Sequence, residues 1–129
     1  MVLRQQDRVH TIMLIEDEED ILLIYRDFLE RKGYRIQASA TTANEILCDY
    51  EVYLPDLIIL DYRLPGHMNG LQAAEKILLK HPLARILIIT AFEDAKNELA
   101  RNKFLIDKKI SILIKPVNLG SLARLIADL

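Results

Sequence analysis

Five short apolar runs alternate along this chain with five stretches of helical spacing, and that alternation constrains the fold more than any other feature. The runs are Val9 to Ile15, Tyr34 to Ala38, residues 56–61, Arg85 to Thr90 and Ile110 to Ile114. Residues 57–60 and 86–89 are apolar without interruption, the pattern of strands buried on both faces. The first stripe is Ile21, Ile24, Tyr25, Phe28 and Leu29, stopped by Gly33 as a C-terminal cap. Ala43, Ile46, Leu47 and Tyr50 form a second, with Thr42-x-x-Glu45 reading as its capping box. Leu71, Ala74, Ile77 and Leu78 form a third, closed by His81-Pro82. Residues 93–103 carry a thin stripe, chiefly Ala95 and Leu99, which predicts a weakly held helix. Leu119, Leu122, Ala123, Ile126 and Leu129 form the last.

Strict strand–helix alternation predicts an α/β domain with a parallel sheet and helices on both faces. Right-handed crossovers make it doubly wound, and the flavodoxin-like strand order 2-1-3-4-5 puts the switch point between the first and third strands. At 129 residues, one domain accounts for the whole chain, with residues 1–8 as a short N-terminal arm. A formal charge of −2 argues against nucleic-acid binding by bulk electrostatics. One cysteine, Cys48, forms no internal pair and fits a reducing cytoplasm; as a side chain it reads as small, apolar and half-buried. No apolar run has the length of a membrane span.

The chemistry gathers where ligands bind in such sheets, at the carboxyl ends of the strands. The first strand runs into Glu16, Asp17, Glu18, Glu19 and Asp20; the third ends on Asp61, ahead of the turn residues Leu64-Pro65-Gly66 and Asn69-Gly70. The fourth ends on Thr90 followed by Ala91, and the fifth is followed by Lys115-Pro116. Taken singly, each has a plain reading. The acids suit the first turn of a helix, Asp61 a turn, Thr90 an N-cap and Lys115 a solvated lysine before a proline. Taken together, Glu16, Asp17 and Asp61 repel one another and call for a hard cation held by oxygen, Mg²⁺. A hydroxyl and an ammonium opposite would then suit the oxygens of a phosphoryl group carried on a carboxylate.

With these residues in place, the sequence resembles the receiver domain of two-component response regulators from about residue 9 to 128. The resemblance rests on IEDEED at 15–20, LIILDYRLPG at 57–66, ILIITAF at 86–92 and ILIKPVN at 112–118. It implies that Asp61 is the phosphoacceptor and that Glu16 and Asp17 bind the metal with Asp61 and the Arg63 backbone carbonyl. It implies that Thr90 is a switch hydroxyl, that Lys115 partners Asp61 or its phosphate, and that the Lys115-Pro116 bond is cis. The implied role is a signalling domain and not an enzyme, though it assists its own phosphotransfer and dephosphorylation. The implied partners are a sensor histidine kinase or phosphotransfer domain and a downstream protein. They would meet a surface around the fourth helix, fifth strand and fifth helix, with the broad apolar span Leu122, Leu125 and Leu129 available to a dimer or partner contact.

The sequence departs from the family at four places. Ile112 stands where an aromatic side chain usually precedes the lysine by three residues. Asp107, Lys108 and Lys109 stand before the fifth strand where the family commonly has Gly-Ala and an acid, and Val117 replaces a frequent Phe. Gly70 comes nine residues after Asp61 where eight is the family spacing, as if His67 or a neighbour were inserted. Arg63 and Phe92, two residues beyond Asp61 and Thr90, are the positions expected to tune phosphoryl lifetime. His10, His67 and His81 form no metal set, and Tyr62 reads as packing. The alternative function is a receiver that is not phosphorylated and serves as an interaction scaffold, for which Ile112 is the argument. A flavin or nucleotide enzyme needs a Gly- or Ser/Thr-rich phosphate loop after the first strand, where this chain has carboxylates.

Overall fold

The computed structural model describes residues 8–64, 66 and 68–129. The expected arm, except Arg8, and the supposed insertion at His67 therefore lie outside the described residues. The elements are β1 (Thr11–Ile15), α1 (Glu19–Arg31), β2 (Arg35–Ala40), α2 (Ile46–Tyr53), β3 (Leu57–Asp61), α3 (Gly70–Lys80), β4 (Ile86–Thr90), α4 (Ala95–Arg101), β5 (Ile110–Ile114) and α5 (Leu119–Ala127). All strand pairings are parallel, in the order β2-β1-β3-β4-β5.

Strand alternation divides the core between the two faces of the sheet. Ile12, Leu14, Leu57, Ile59, Leu87 and Ile89 face Leu22, Tyr25 and Leu29 of α1 and Leu122 and Ile126 of α5. Met13, Ile15, Ile58, Leu60, Ile86 and Ile88 face α2, α3 and Ala95 of α4. β3 and β4 are buried along their whole length, whereas the edge strands β2 and β5 are largely half-buried. Truncating a fully buried residue such as Leu60 to Ala costs about 2–5 kcal/mol.

Several local expectations are met and others corrected. Gly33 takes φ +97° just past α1, and the Tyr34 N–H donates to the Leu29 carbonyl, closing the helix as a glycine C-cap does. The buried stripe of α1 is Leu22, Tyr25 and Leu29, while Ile24 is 53% exposed. Residues 21–25 are all apolar or aromatic, so several stripes fit the spacing, and packing on the sheet selects one.

Thr42-x-x-Glu45 does not form a capping box: α2 begins at Ile46, and its N-cap Glu45 makes no side-chain cap bond. Residues 43–46 form a turn instead, with the Ile46 N–H on the Ala43 carbonyl, and this buries Ala43 in the core. The capping box lies on α3, where Asn69 and Gln72 bond each other's backbone N–H. Cys48 is exposed rather than half-buried.

α4 spans seven residues, shorter than the predicted 93–103. The Asn102 side chain accepts the N–H groups of Phe104 and Leu105, and this turn ends the helix and drives Leu105 fully into the core. Leu119 and Leu125 of α5, and Leu129 just past its end, pack partly against the core, which absorbs much of that segment's apolar breadth. Among the described residues no helix is long and apolar enough to cross a membrane.

Candidate functional site

β1 and β3 are adjacent, so their carboxyl ends deliver Glu16, Asp17 and Asp61 to one place. One oxygen from each carboxylate lies within 4.8 Å of the others. Glu16 and Asp61 are buried, at 2% and 7% exposure, and Asp17 faces solvent. Lys115, just beyond β5, reaches over: its Nζ lies 3.3 Å from Asp61 Oδ2 and 3.4 Å from Glu16 Oε1. The Lys115-Pro116 bond is cis, and the Lys115 N–H donates to the Thr90 carbonyl at 2.7 Å.

Backbone donors hold the carboxylates in place. The Arg63 N–H donates to Asp61 Oδ1 at 3.2 Å, and the Glu18 N–H to Glu16 Oε2 at 3.4 Å. The Arg63 side chain is exposed. Thr90 follows Ile89, the β4 partner of Asp61, and is 1% exposed; its Oγ1 accepts the Phe92 N–H at 2.9 Å.

The electrostatics fit a cation. Burial, then hydrogen bonds that a protonated Glu16 donates to Asp61 and Asp17, push Glu16 up to about 8, and the Lys115 ammonium offsets this only in part. The hydrogen bond from Glu16 lowers Asp17. Burial draws the Lys115 ammonium down, but the charges of Asp61 and Glu16 outweigh it and raise the group overall. Three oxygen ligands this close, one so strained that it favours its proton, match the donor chemistry of Mg²⁺.

The strongest feature that sequence reasoning undervalued is Tyr62. It is 9% exposed, its ring lies 5.4 Å from that of Phe92, and its hydroxyl donates to Glu98 Oε2 at 2.8 Å. The signal available in the sequence was a polar-tipped aromatic directly after Asp61, since a buried tyrosine hydroxyl needs a partner.

Residues 12–127 match the family model of the response regulator receiver domain. The chain belongs to that family. Among curated proteins, this receiver domain is 32% identical over 111 residues to a protein-glutamate methylesterase/protein-glutamine glutaminase 2 of Paramagnetospirillum magneticum, covering 82% of this chain and 30% of that protein. It is 30% identical over 112 residues to the transcriptional regulatory protein PdtaR of Mycobacterium tuberculosis, covering 86% of this chain and 52% of that one. The receiver domain thus spans no more than about half of either relative. A CheY-like receiver domain from Methanospirillum hungatei superposes with a TM-score of 0.79 at 26% identity, covering 93% of this chain and 92% of that one.

Proposed function

We propose that this receiver domain takes a phosphoryl group from the phosphohistidine of a sensor kinase or phosphotransfer domain, or from a small phosphodonor, onto Asp61. An Asp61 carboxylate oxygen forms the new bond to phosphorus as the donor's bond to phosphorus breaks. The product is an aspartyl phosphate, and the electron pair leaves with the donor. The observation that carries this reading is the placement of Asp61 between the Glu16–Asp17 carboxylates and the Lys115 ammonium.

Glu16, Asp17, Asp61 and the Arg63 backbone carbonyl would hold Mg²⁺, which supplies charge neutralisation at the phosphoryl oxygens when bound. Lys115 exchanges its contact with Asp61 for one with the phosphoryl group. The Thr90 hydroxyl turns towards that group and gives up the Phe92 N–H. Hydrolysis by water returns Asp61 and ends the signal. In this role the domain is a substrate that assists its own modification and not an enzyme with turnover on another molecule.

The modification shifts a two-state surface around α4, β5 and α5, where a downstream protein or a second copy docks. The second reading, an unphosphorylated scaffold, is favoured by Ile112, which packs partly buried on the sheet face that also carries Ala95 of α4 and has no polar tip to move. Intact mass after incubation with Mg²⁺ and acetyl phosphate decides between them. A single adduct in the parent, absent from Asp61→Asn and without metal, supports the acceptor reading. No adduct together with no Mg²⁺ binding favours the scaffold.

A further inference from the structure

Tyr62 is tied to more of the site than a packing residue requires. It follows Asp61 directly. Its N–H donates to the Ile89 carbonyl, one residue before Thr90, and its carbonyl accepts the Gly70 N–H at the start of α3. Its ring leans on Phe92, two residues after Thr90, and its hydroxyl bonds Glu98 on α4 while accepting a 3.4 Å contact from Asn69 Nδ2. β3, the Thr90 loop and α4 therefore meet on one side chain. Within α4 Ala95 is buried and Leu99 packs partly against the core, so the Glu98 hydrogen bond adds a polar tie to a thinly anchored helix.

We propose that the Tyr62–Glu98 hydrogen bond is a latch that holds α4 in its unmodified position. It couples that helix to Asp61 through Phe92 in place of an aromatic residue at 112. The coupling rests on the reading of Asp61 as phosphoacceptor. If Thr90 turns towards a phosphoryl group, Phe92 moves with it, and the ring resting on Phe92 cannot keep its hydroxyl on Glu98. A contact made only in the unmodified state biases the equilibrium towards that state, and removing it shifts the population the other way. Tyr62 is a positioning residue in this scheme, acting on the acceptor site through Phe92 and on the output face through Glu98.

The test uses Tyr62→Phe, which keeps the ring, Glu98→Ala, which keeps a good helix former, and the double variant. In the unmodified protein, backbone amides of residues 98–102 should exchange about five- to tenfold faster in each single variant, with β3 and β4 unchanged. Labelling by acetyl phosphate with Mg²⁺ should quicken by a similar factor. The double variant should match the larger single effect, because both changes break one bond. Unchanged α4 exchange, labelling that is unchanged or slower, or additive effects would each overturn the latch while leaving the acceptor reading intact. A parent protein that takes no phosphoryl group overturns the acceptor reading itself and the coupling with it.

Discussion

Gly70 passes so close to Asp61 that a Cβ at position 70 would stand 2.8 Å from the Asp61 carbonyl oxygen and 2.9 Å from the Tyr62 Cα. Both neighbours are backbone, so neither yields cheaply. The same approach lets the Gly70 N–H donate to the Tyr62 carbonyl at 2.7 Å, pinning the start of α3 to the end of β3. Gly70→Ala therefore destabilises the domain, although alanine is the better helix former. A loss of about 1–3 kcal/mol is expected from the overlap, read by chemical denaturation. A variant as stable as the parent would show that the loop has room to shift.

Lys115 faces Asp61 and Glu16 as the one cation bonded to either carboxylate among the described residues. Lys115→Met keeps the aliphatic stem and removes the charge. Labelling of Asp61 by acetyl phosphate should fall about a hundredfold, the scale of losing one preorganised charge partner at a reacting centre. Circular dichroism should show the fold retained. Labelling at the parent rate would take Lys115 out of the chemistry.

Mg²⁺ should stabilise the folded domain, because only the folded chain brings Glu16, Asp17 and Asp61 together. At a hundred times the dissociation constant, linkage adds about 2.7 kcal/mol, visible as a rising thermal midpoint. Asp17→Asn and Asp61→Asn should each reduce the rise. A midpoint in the parent that ignores Mg²⁺ would rule out the site.

Phosphoryl lifetime is expected to depend on Arg63 and Phe92. The Arg63 side chain is exposed and free to reach a phosphoryl group, and Phe92 is half-buried against Tyr62. Arg63→Ala and Phe92→Ala should each speed dephosphorylation several-fold, followed by the decay of the adduct. Unchanged decay in both leaves these residues as surface packing.

Leu54 caps α2 in the left-handed region at φ 45° and is 61% exposed. A Cβ in that region costs about 1–2 kcal/mol, and an exposed side chain gives little back. After the greater freedom that glycine restores to the unfolded chain, Leu54→Gly should still gain about 0.5–1 kcal/mol. A lower thermal midpoint in this variant would mean that Leu54 makes contacts its exposure conceals.

The sequence by itself determined the sheet, the order of its elements and the positions of Glu16, Asp17, Asp61, Thr90 and Lys115 at strand ends. It could do so because uninterrupted apolar runs such as 57–60 are local statements of burial, and a parallel sheet leaves their carboxyl ends on one side. It also placed the cap at Gly33, where a positive φ has few occupants besides glycine.

Tertiary structure decided whatever depended on which surface a segment met. Residues 21–25 are too uniformly apolar to name their own inner face, and the α1 stripe was settled by docking on β1 and β2. The Thr42–Glu45 pattern lost to the burial of Ala43. Glu16 is pushed up to about 8 only because folding buries it and brings Asp61 and Asp17 against it. Tyr62 found Glu98 thirty-six positions away, on a helix whose placement no local pattern encodes. Periodicity and turn chemistry are properties of neighbours along the chain, whereas a hydrogen bond or a desolvated charge depends on neighbours in space, and those exist only once the chain has folded.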